Sequence, residues 1–152
     1  DDLSSIFKAI NALAEKYSDT CTFVYPIHMN PIIREKAAIY LTANNINIVE
    51  PLNTIDFHNI MSQAYLILTD SGGIQEEAPA LGIPVLVLRD TTERPEGVAA
   101  GTLKLIGTNE QAIIEGVTEL MNNPLQYDEM KKVKNPYGDG TTAEKIMEII
   151  NE

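Results

Sequence analysis

The feature that most restricts the fold of this chain is the repeated change of its hydrophobic period. Between residues 3 and 14, apolar residues recur at i, i+3, i+4 and i+7, and a short apolar run follows at residues 21–25. The alternation continues, with helical patterns at about residues 31–41, 54–63, 72–81, 110–122, 125–132 and 141–151, and strand-like runs at 46–49, 65–69, 84–88 and 102–106. Short strands that alternate with helices form a parallel sheet with helices on both faces. We therefore predict an α/β fold, a single Rossmann-like, doubly wound domain over residues 1–152.

The composition narrows the classes of partner. The chain has 152 residues, of which 44% are hydrophobic, and its formal net charge is -11. A charge of this sign repels nucleic acids and anionic membrane surfaces, so we expect neither as a partner. No apolar run approaches the roughly 18–20 residues that span a bilayer, and the amino terminus lacks a basic signal-peptide region. The single cysteine, Cys21, cannot form an internal disulfide, so we expect a cytoplasmic domain.

The strongest candidate site is the segment 69–78, which leads from a buried strand into a helix. Gly72 and Gly73 let the backbone approach a ligand closely, and the free N–H groups at the helix start favour an anion. Ser71 adds a hydroxyl donor, and Glu77, one turn into the helix, can accept hydrogen bonds from a ribose diol. The alternative is an ordinary strand-to-helix turn, with Ser71 as the N-cap residue and the glutamates as first-turn acids.

A second candidate is the polar segment 89–96, which follows the next apolar strand and should reach the same end of the sheet. Its two arginines, Arg89 and Arg94, suit phosphate oxygens because guanidinium groups donate two parallel hydrogen bonds. The alternative is a solvated loop whose opposite charges pair with one another. The position beside the glycine turn favours a functional role.

Two further residues are weaker candidates on local pattern alone. His28 lies after the first strand and could contact phosphate or transfer a proton, although Asn30-Pro31 by itself indicates only a helix start. Phe57 could stack on a base, but a core position is the simpler interpretation.

Motifs for metals and common cofactors are absent from the sequence. It contains no H-x-x-x-H pair, no cysteine cluster, no Walker loop and no complete G-x-G-x-x-G. We therefore predict no metal site and no cofactor.

Taken together, the motifs resemble a known family. Residues 69–79 (Thr-Asp-Ser-Gly-Gly-Ile-Gln-Glu-Glu-Ala-Pro), followed by residues 82–96, closely resemble the non-hydrolysing UDP-N-acetylglucosamine 2-epimerases. Residues 26–31 and 135–140 fall in the family's order, and the resemblance covers essentially the whole chain. It implies the carboxy-terminal domain of a glycosyltransferase-B type fold, which binds a UDP-sugar in the cleft between two Rossmann-like halves.

The resemblance also implies roles for individual residues. Ser71, Gly72 and Gly73 match the turn that contacts the diphosphate. Glu77 matches the carboxylate that holds the ribose, and Phe57 matches the aromatic residue near uracil.

Two more matches concern the active site and regulation. Arg94 matches an active-site arginine and is the implied catalytic residue of this chain. His28 matches a histidine linked, in bacterial members, to a second, regulatory UDP-N-acetylglucosamine.

The family's reaction converts UDP-N-acetylglucosamine to UDP-N-acetylmannosamine by elimination and re-addition of UDP, with inversion at C2. Its catalytic carboxylates belong to an amino-terminal half that this sequence lacks, so we expect the isolated chain to bind UDP weakly and to be inactive. The resemblance further implies a homodimeric full-length enzyme in cell-surface polysaccharide synthesis. The missing half and the UDP-sugar are the expected partners.

Three other interpretations remain open at this point. The chain could be the donor-nucleotide domain of a glycosyltransferase with the same architecture, or a non-enzymatic UDP-sugar-binding or partner-binding module. A hydrolysing epimerase, often fused to a kinase, is the third. The Arg-Asp-Thr-Thr-Glu-Arg-Pro-Glu segment favours the non-hydrolysing epimerase.

Overall fold

The computed structural model describes residues 2–151 and has the predicted α/β architecture. In chain order the elements are α1 (Asp2–Lys16), β1 (Phe23–Pro26), α2 (Pro31–Tyr40), β2 (Ile46–Val49), α3 (Thr54–Ser62), β3 (Ile67–Thr69), α4 (Gly72–Ala80), β4 (Val85–Val87), α5 (Pro95–Ala100), β5 (Leu103–Leu105), α6 (Glu110–Asn122), α7 (Pro124–Lys132) and α8 (Thr142–Ile150). The two ends of the predicted domain, residues 1 and 152, lie outside the described range. None of the helices within that range is both long enough and apolar enough to cross a membrane.

All the strand pairs are parallel, but hydrogen bonding divides the strands into two groups. β1 pairs with β2, with Phe23 opposite Ile46, and the second group has the order β3-β4-β5. In that group Thr69 stands opposite Val87, and Val87 stands opposite Leu105. The loops that follow β3 and β4 therefore leave the sheet at the same edge.

The central strand of the second group is covered on both faces. Leu86 belongs to a buried cluster with Leu13 of α1 and Ile113 of α6. Val85 and Val87, which point to the opposite face, pack in a second cluster with residues of α3, α4 and β5. Successive side chains of a strand alternate between faces, so this division means that β4 has helices on both sides, as a doubly wound sheet requires.

Helix α1 connects the two groups of strands. Leu13 packs with β4, whereas Phe7 packs in a third cluster with Ile27 and Ala37, beside β1 and α2. The helix contacts both α2 and α6. A single amphipathic helix therefore holds the two strand groups in one layered structure.

One helix differs from the sequence-based prediction. The hydrophobic pattern predicts no helix between residues 89 and 101, yet α5 lies there. Its first residue is Pro95, whose fixed φ suits a helix start, and it is followed by a C-cap glycine, Gly101, with a φ of 90°. The helix is only six residues long, too short to show a helical hydrophobic period.

Candidate functional site

The segment from Asp70 to Gly73, here called the glycine turn, joins β3 to α4 at the edge of the sheet. The N–H of Ser71 donates to Thr69 Oγ1 at 3.0 Å, and Ser71 occupies the N-cap position of α4. Its side chain makes no capping hydrogen bond to the helix. The alternative interpretation of Ser71 as an N-cap is therefore correct for its position, but the hydroxyl is not used for capping. The first N–H groups of α4 face the same edge as the loop after β4, where an anion is favoured.

A buried glutamine ties this turn to the loop after β4. Gln75 is 1% exposed, and its Nε2 donates to the carbonyl of Ser71 at 3.2 Å. Its Oε1 accepts a hydrogen bond from Thr92 Oγ1 at 2.5 Å. The amide is thus satisfied on both sides, as a buried polar group must be. Sequence reasoning missed this pair, although Gln75 shares the buried face of α4 with Ala78, a position where a polar residue signals a specific partner.

The loop places Arg94 directly beside the glycine turn. The N–H of Arg94 donates to Thr92 Oγ1 at 3.0 Å, and its Nε donates to the carboxylate of Glu76. The hydrogen bond to Glu76 is the largest cause of a raised pKa of Arg94, so the guanidinium remains charged. Tyr137 Oη supports the loop by donating to the carbonyl of Arg94 at 3.4 Å. The guanidinium then lies against Gly72, with Nη2 3.7 Å from the point where a Cβ would stand.

The second arginine of the segment takes a different direction. Arg89 Nη1 lies 4.0 Å from Glu93 Oε1, and Arg89 borders a shallow groove with Lys104 and Gly107. Of the two arginines that the sequence suggests for a diphosphate, the structure brings only Arg94 to the turn. Arg89 follows the alternative interpretation, pairing with an acid of its own loop.

Glu77 also lies over the turn. One carboxylate oxygen, Oε2, is 2.9 Å from Nε2 of His58 on α3. The other, Oε1, is 3.6 Å from the point where a Cβ on Gly73 would stand. Phe57, next to His58, packs against the cluster beneath α3 and α4. Glu77 and Phe57 are thus carried by adjacent helices, and His58 is a member of this group that the sequence did not indicate.

His28 lies in the loop between β1 and α2 and has a local role. Its Nδ1 accepts the N–H of Asn30 at 3.1 Å, and Asn30 Oδ1 in turn caps α2 by accepting from Ile32. At the end of β1, burial raises the pKa of Tyr25, and the Asp70 carboxylate, which follows β3, raises it further. The imidazole side chain is exposed. The structure therefore places His28 in the turn that begins α2, after β1.

The site offers hydrogen-bond donors and acceptors and one fixed cation. Within residues 2–151, no group of three or more His, Cys, Asp or Glu side chains could hold a metal ion. Backbone N–H groups and Arg94 can bind an anion at the turn, and Glu77 can accept hydrogen bonds from hydroxyl groups next to it. This combination fits a ligand with a phosphate group joined to a polyol.

Comparison with known proteins agrees with this chemistry. A family model described as UDP-N-acetylglucosamine 2-epimerase matches residues 1–151. The Bacillus subtilis UDP-N-acetylglucosamine 2-epimerase is 49% identical over 149 residues, a match that covers 97% of this chain and 39% of that protein. This chain thus spans about two-fifths of the length of the curated relatives it matches.

Solved structures give the same result. The Neisseria meningitidis UDP-GlcNAc 2-epimerase bound to UDP-GlcNAc matches with a TM-score of 0.92 and 48% identity, covering 98% of this chain and 40% of that one. A Staphylococcus aureus MnaA–UDP co-structure matches with a TM-score of 0.93 and 49% identity, covering 99% of this chain and 41% of that one. The predicted α/β, glycosyltransferase-B type domain is therefore confirmed, and the chain belongs to the UDP-N-acetylglucosamine 2-epimerase family.

Proposed function

We propose that this chain forms the UDP-binding domain of an enzyme that interconverts UDP-N-acetylglucosamine and UDP-N-acetylmannosamine. The observation that carries the proposal is the arrangement at the glycine turn, where the Arg94 guanidinium lies against Gly72 and the Glu77 carboxylate lies over Gly73. The cation beside this turn matches the diphosphate of a UDP-sugar, and the carboxylate, which accepts hydrogen bonds from hydroxyl groups, matches its ribose. UDP and UDP-GlcNAc complexes of similar proteins support this ligand.

The diphosphate is the part of the ligand that the turn would hold. Ser71, Gly72 and Gly73 present a hydroxyl and helix-terminal N–H groups, and the helix dipole favours negative charge there. Arg94 would bind phosphate oxygens from the other side of the turn. The overall charge of -11 makes this local concentration of donors necessary, since the rest of the chain repels an anion.

The nucleoside would be held by the two neighbouring helices. Glu77 lies one turn into α4, so its carboxylate would accept hydrogen bonds from the ribose hydroxyls. Phe57, whose ring is partly buried against the core, would support the uracil through an apolar contact. These assignments place diphosphate, ribose and base in sequence along α4 and α3.

In the reaction, the chain's own residues would stabilise UDP as it departs. Cleavage of the bond between the sugar and UDP builds negative charge on the diphosphate, and Arg94 with the N–H groups of the turn would stabilise that charge. Proton transfer at C2 needs acid–base groups, which we place in the part of the polypeptide outside this chain. We therefore propose that the isolated chain is inactive, and that the full-length protein is a homodimer in which His28 contributes to a regulatory UDP-sugar site.

The test is a titration of UDP into the chain that is monitored by NMR, because NMR detects weak binding. We expect saturable shifts for UDP, weaker binding of ADP, and a loss of affinity in Glu77→Ala. Asp128→Asn, which removes an exposed charge on α7, is the matched control and should leave binding unchanged. An absence of saturable shifts at millimolar UDP would contradict the proposed function. Conversion of UDP-N-acetylglucosamine by the isolated chain would contradict the proposed inactivity.

A further inference from the structure

Glu77 has a neighbour that orients it. His58 Nε2 and Glu77 Oε2 are 2.9 Å apart, although the residues belong to different helices and are 19 positions apart in sequence. This distance is a full hydrogen bond. A carboxylate can only accept a hydrogen bond, so His58 Nε2 carries a proton and donates it to Glu77 Oε2.

The two oxygens of Glu77 are thereby given different surroundings. Oε2 is held by His58, whereas Oε1 lies over Gly73 at the glycine turn. A glutamate side chain has three rotatable bonds, and without a fixed partner it samples several rotamers. The contact with His58 selects one rotamer, the one that directs the remaining oxygen toward the turn.

The backbones that carry the two residues are fixed by the core. Met61 of α3 is 4% exposed and Ala78 of α4 is 0% exposed, and both belong to the same buried cluster. The side chains of His58 and Glu77 themselves are 45% and 48% exposed. The pair is therefore held by a rigid base but stands at the open edge where a ligand would enter.

We propose that His58 is a positioning residue, which sets the Glu77 carboxylate to accept hydrogen bonds from the ribose hydroxyls. The inference rests on the proposed function, since it assigns a partner to the ribose-binding glutamate. His58 acts through Glu77 and does not itself contact the ligand. Its contribution consequently depends on two things, the presence of the Glu77 carboxylate and the presence of ribose hydroxyl groups.

If the pair served only to stabilise the fold, His58→Ala would lower the denaturation midpoint. The positioning role predicts a different outcome. We propose that this half-exposed hydrogen bond contributes little to the free energy of unfolding, so His58→Ala should leave the denaturation midpoint almost unchanged. The affinity for UDP should fall by about three- to tenfold, the range that corresponds to one ordinary hydrogen bond. His58→Gln should restore much of the affinity, because its side-chain amide can donate from nearly the same place as Nε2.

The experiment is a set of NMR titrations with two ligands, UDP and 2′,3′-dideoxyuridine diphosphate. The proteins are the unchanged chain, His58→Ala, His58→Gln, Glu77→Ala and the double variant His58→Ala/Glu77→Ala, with Asp128→Asn as the control for loss of an exposed ion pair. Circular dichroism checks that each variant is folded. We expect His58→Ala to weaken UDP but not the dideoxy ligand, and to have no further effect once Glu77 is alanine.

The outcomes separate this inference from the proposed function. If UDP binds and Glu77→Ala lowers the affinity for UDP, but His58→Ala does not, the inference about His58 is wrong and the proposed function stands. Equal weakening of both ligands by His58→Ala would mean direct contact with the ligand and would also overturn the inference. If UDP does not bind the unchanged chain, the proposed function itself fails, and the inference fails with it.

Discussion

The guanidinium of Arg94 lies against the turn at Gly72, with Nη2 3.7 Å from the point where a Cβ on residue 72 would stand. Gly72 begins α4 and Arg94 lies in the loop after β4, and the network through Thr92 and Gln75 holds the two segments together. A methyl group would fit at Gly72 in ordinary van der Waals contact. The glycine is therefore not needed for the packing of the chain, and under the proposed function it would keep the space beside Arg94 open for a ligand.

Gly72→Ala should consequently separate stability from binding. We expect the free energy of unfolding to change by less than about 1 kcal/mol, because the residue does not have a positive φ and the methyl group meets no close atom. The affinity for UDP should fall by about tenfold or more, since the methyl group would occupy the path of the diphosphate to the N–H groups. Urea denaturation and a UDP titration measure the two effects. A stable variant with unchanged affinity would mean that the phosphate does not approach this turn.

Arg94→Gln should weaken the binding of phosphate-bearing ligands selectively. The Arg94 side chain is 31% exposed, so its charge is available at the turn. The ion pair with Glu76 is itself partly exposed, so removing the guanidinium should cost little stability. We expect the affinity for UDP to fall by about tenfold or more, the effect of losing a charge-assisted hydrogen bond. Uridine, which lacks the diphosphate, should bind equally well to both proteins. A comparable loss for uridine would instead indicate that the variant disturbs the nucleoside site.

Gly97→Ala should destabilise the fold. A Cβ at this buried position would lie 2.7 Å from Leu103 Cγ, and it would also meet the hydroxyl of Tyr137. Overpacking of this kind costs about 1–3 kcal/mol. Gly72→Ala is the matched control, because the same change is made there where no atom is crowded. Equal urea midpoints for the two variants would show that α5 shifts to accept the methyl group without strain.

Tyr127 should make stability sensitive to alkaline pH. Burial, and then the neighbouring Tyr65 and Asp128, raise the pKa of its phenol above the usual range for tyrosine. An acid whose pKa is raised in the folded state contributes its stability in full below the unfolded pKa, and this contribution is lost as the pH rises through the folded pKa. The chain should therefore lose stability above about pH 10.

Tyr127→Phe isolates this contribution. At neutral pH we expect a loss of about 1 kcal/mol, because the hydrogen bond of 2.9 Å from Tyr127 Oη to the carbonyl of Tyr65 disappears. Above pH 10 the difference in the free energy of unfolding between the two proteins should shrink, because the phenol of Tyr127 ionises more readily in the unfolded state than in the folded state. Urea midpoints at neutral and alkaline pH provide the measurement. A constant difference at both pH values would contradict the assigned cause.

Much of the architecture could be predicted from sequence because it depends on local patterns. The change between helical and strand periods located every strand, and Asn30 with Pro31 marked the start of α2, where the asparagine does cap the helix. The edges of the strands were less well defined. The apolar run at residues 65–69 does not indicate which part pairs, and in the structure β3 begins at Ile67 while Tyr65 stacks on Tyr127.

The sequence pattern also predicts at which edge a ligand site would lie, since strands that alternate with helices bring their carboxyl ends to one edge. Which side chains meet at that edge depends on how the elements pack in three dimensions. The tertiary structure selected Arg94 and not Arg89, and it joined His58 to Glu77. The physical reason is that these contacts connect residues of different elements, whose separation depends on the path of each loop and on packing against the core. Hydrophobic periodicity reports which face of an element is buried, but it contains no information about the partner across the gap.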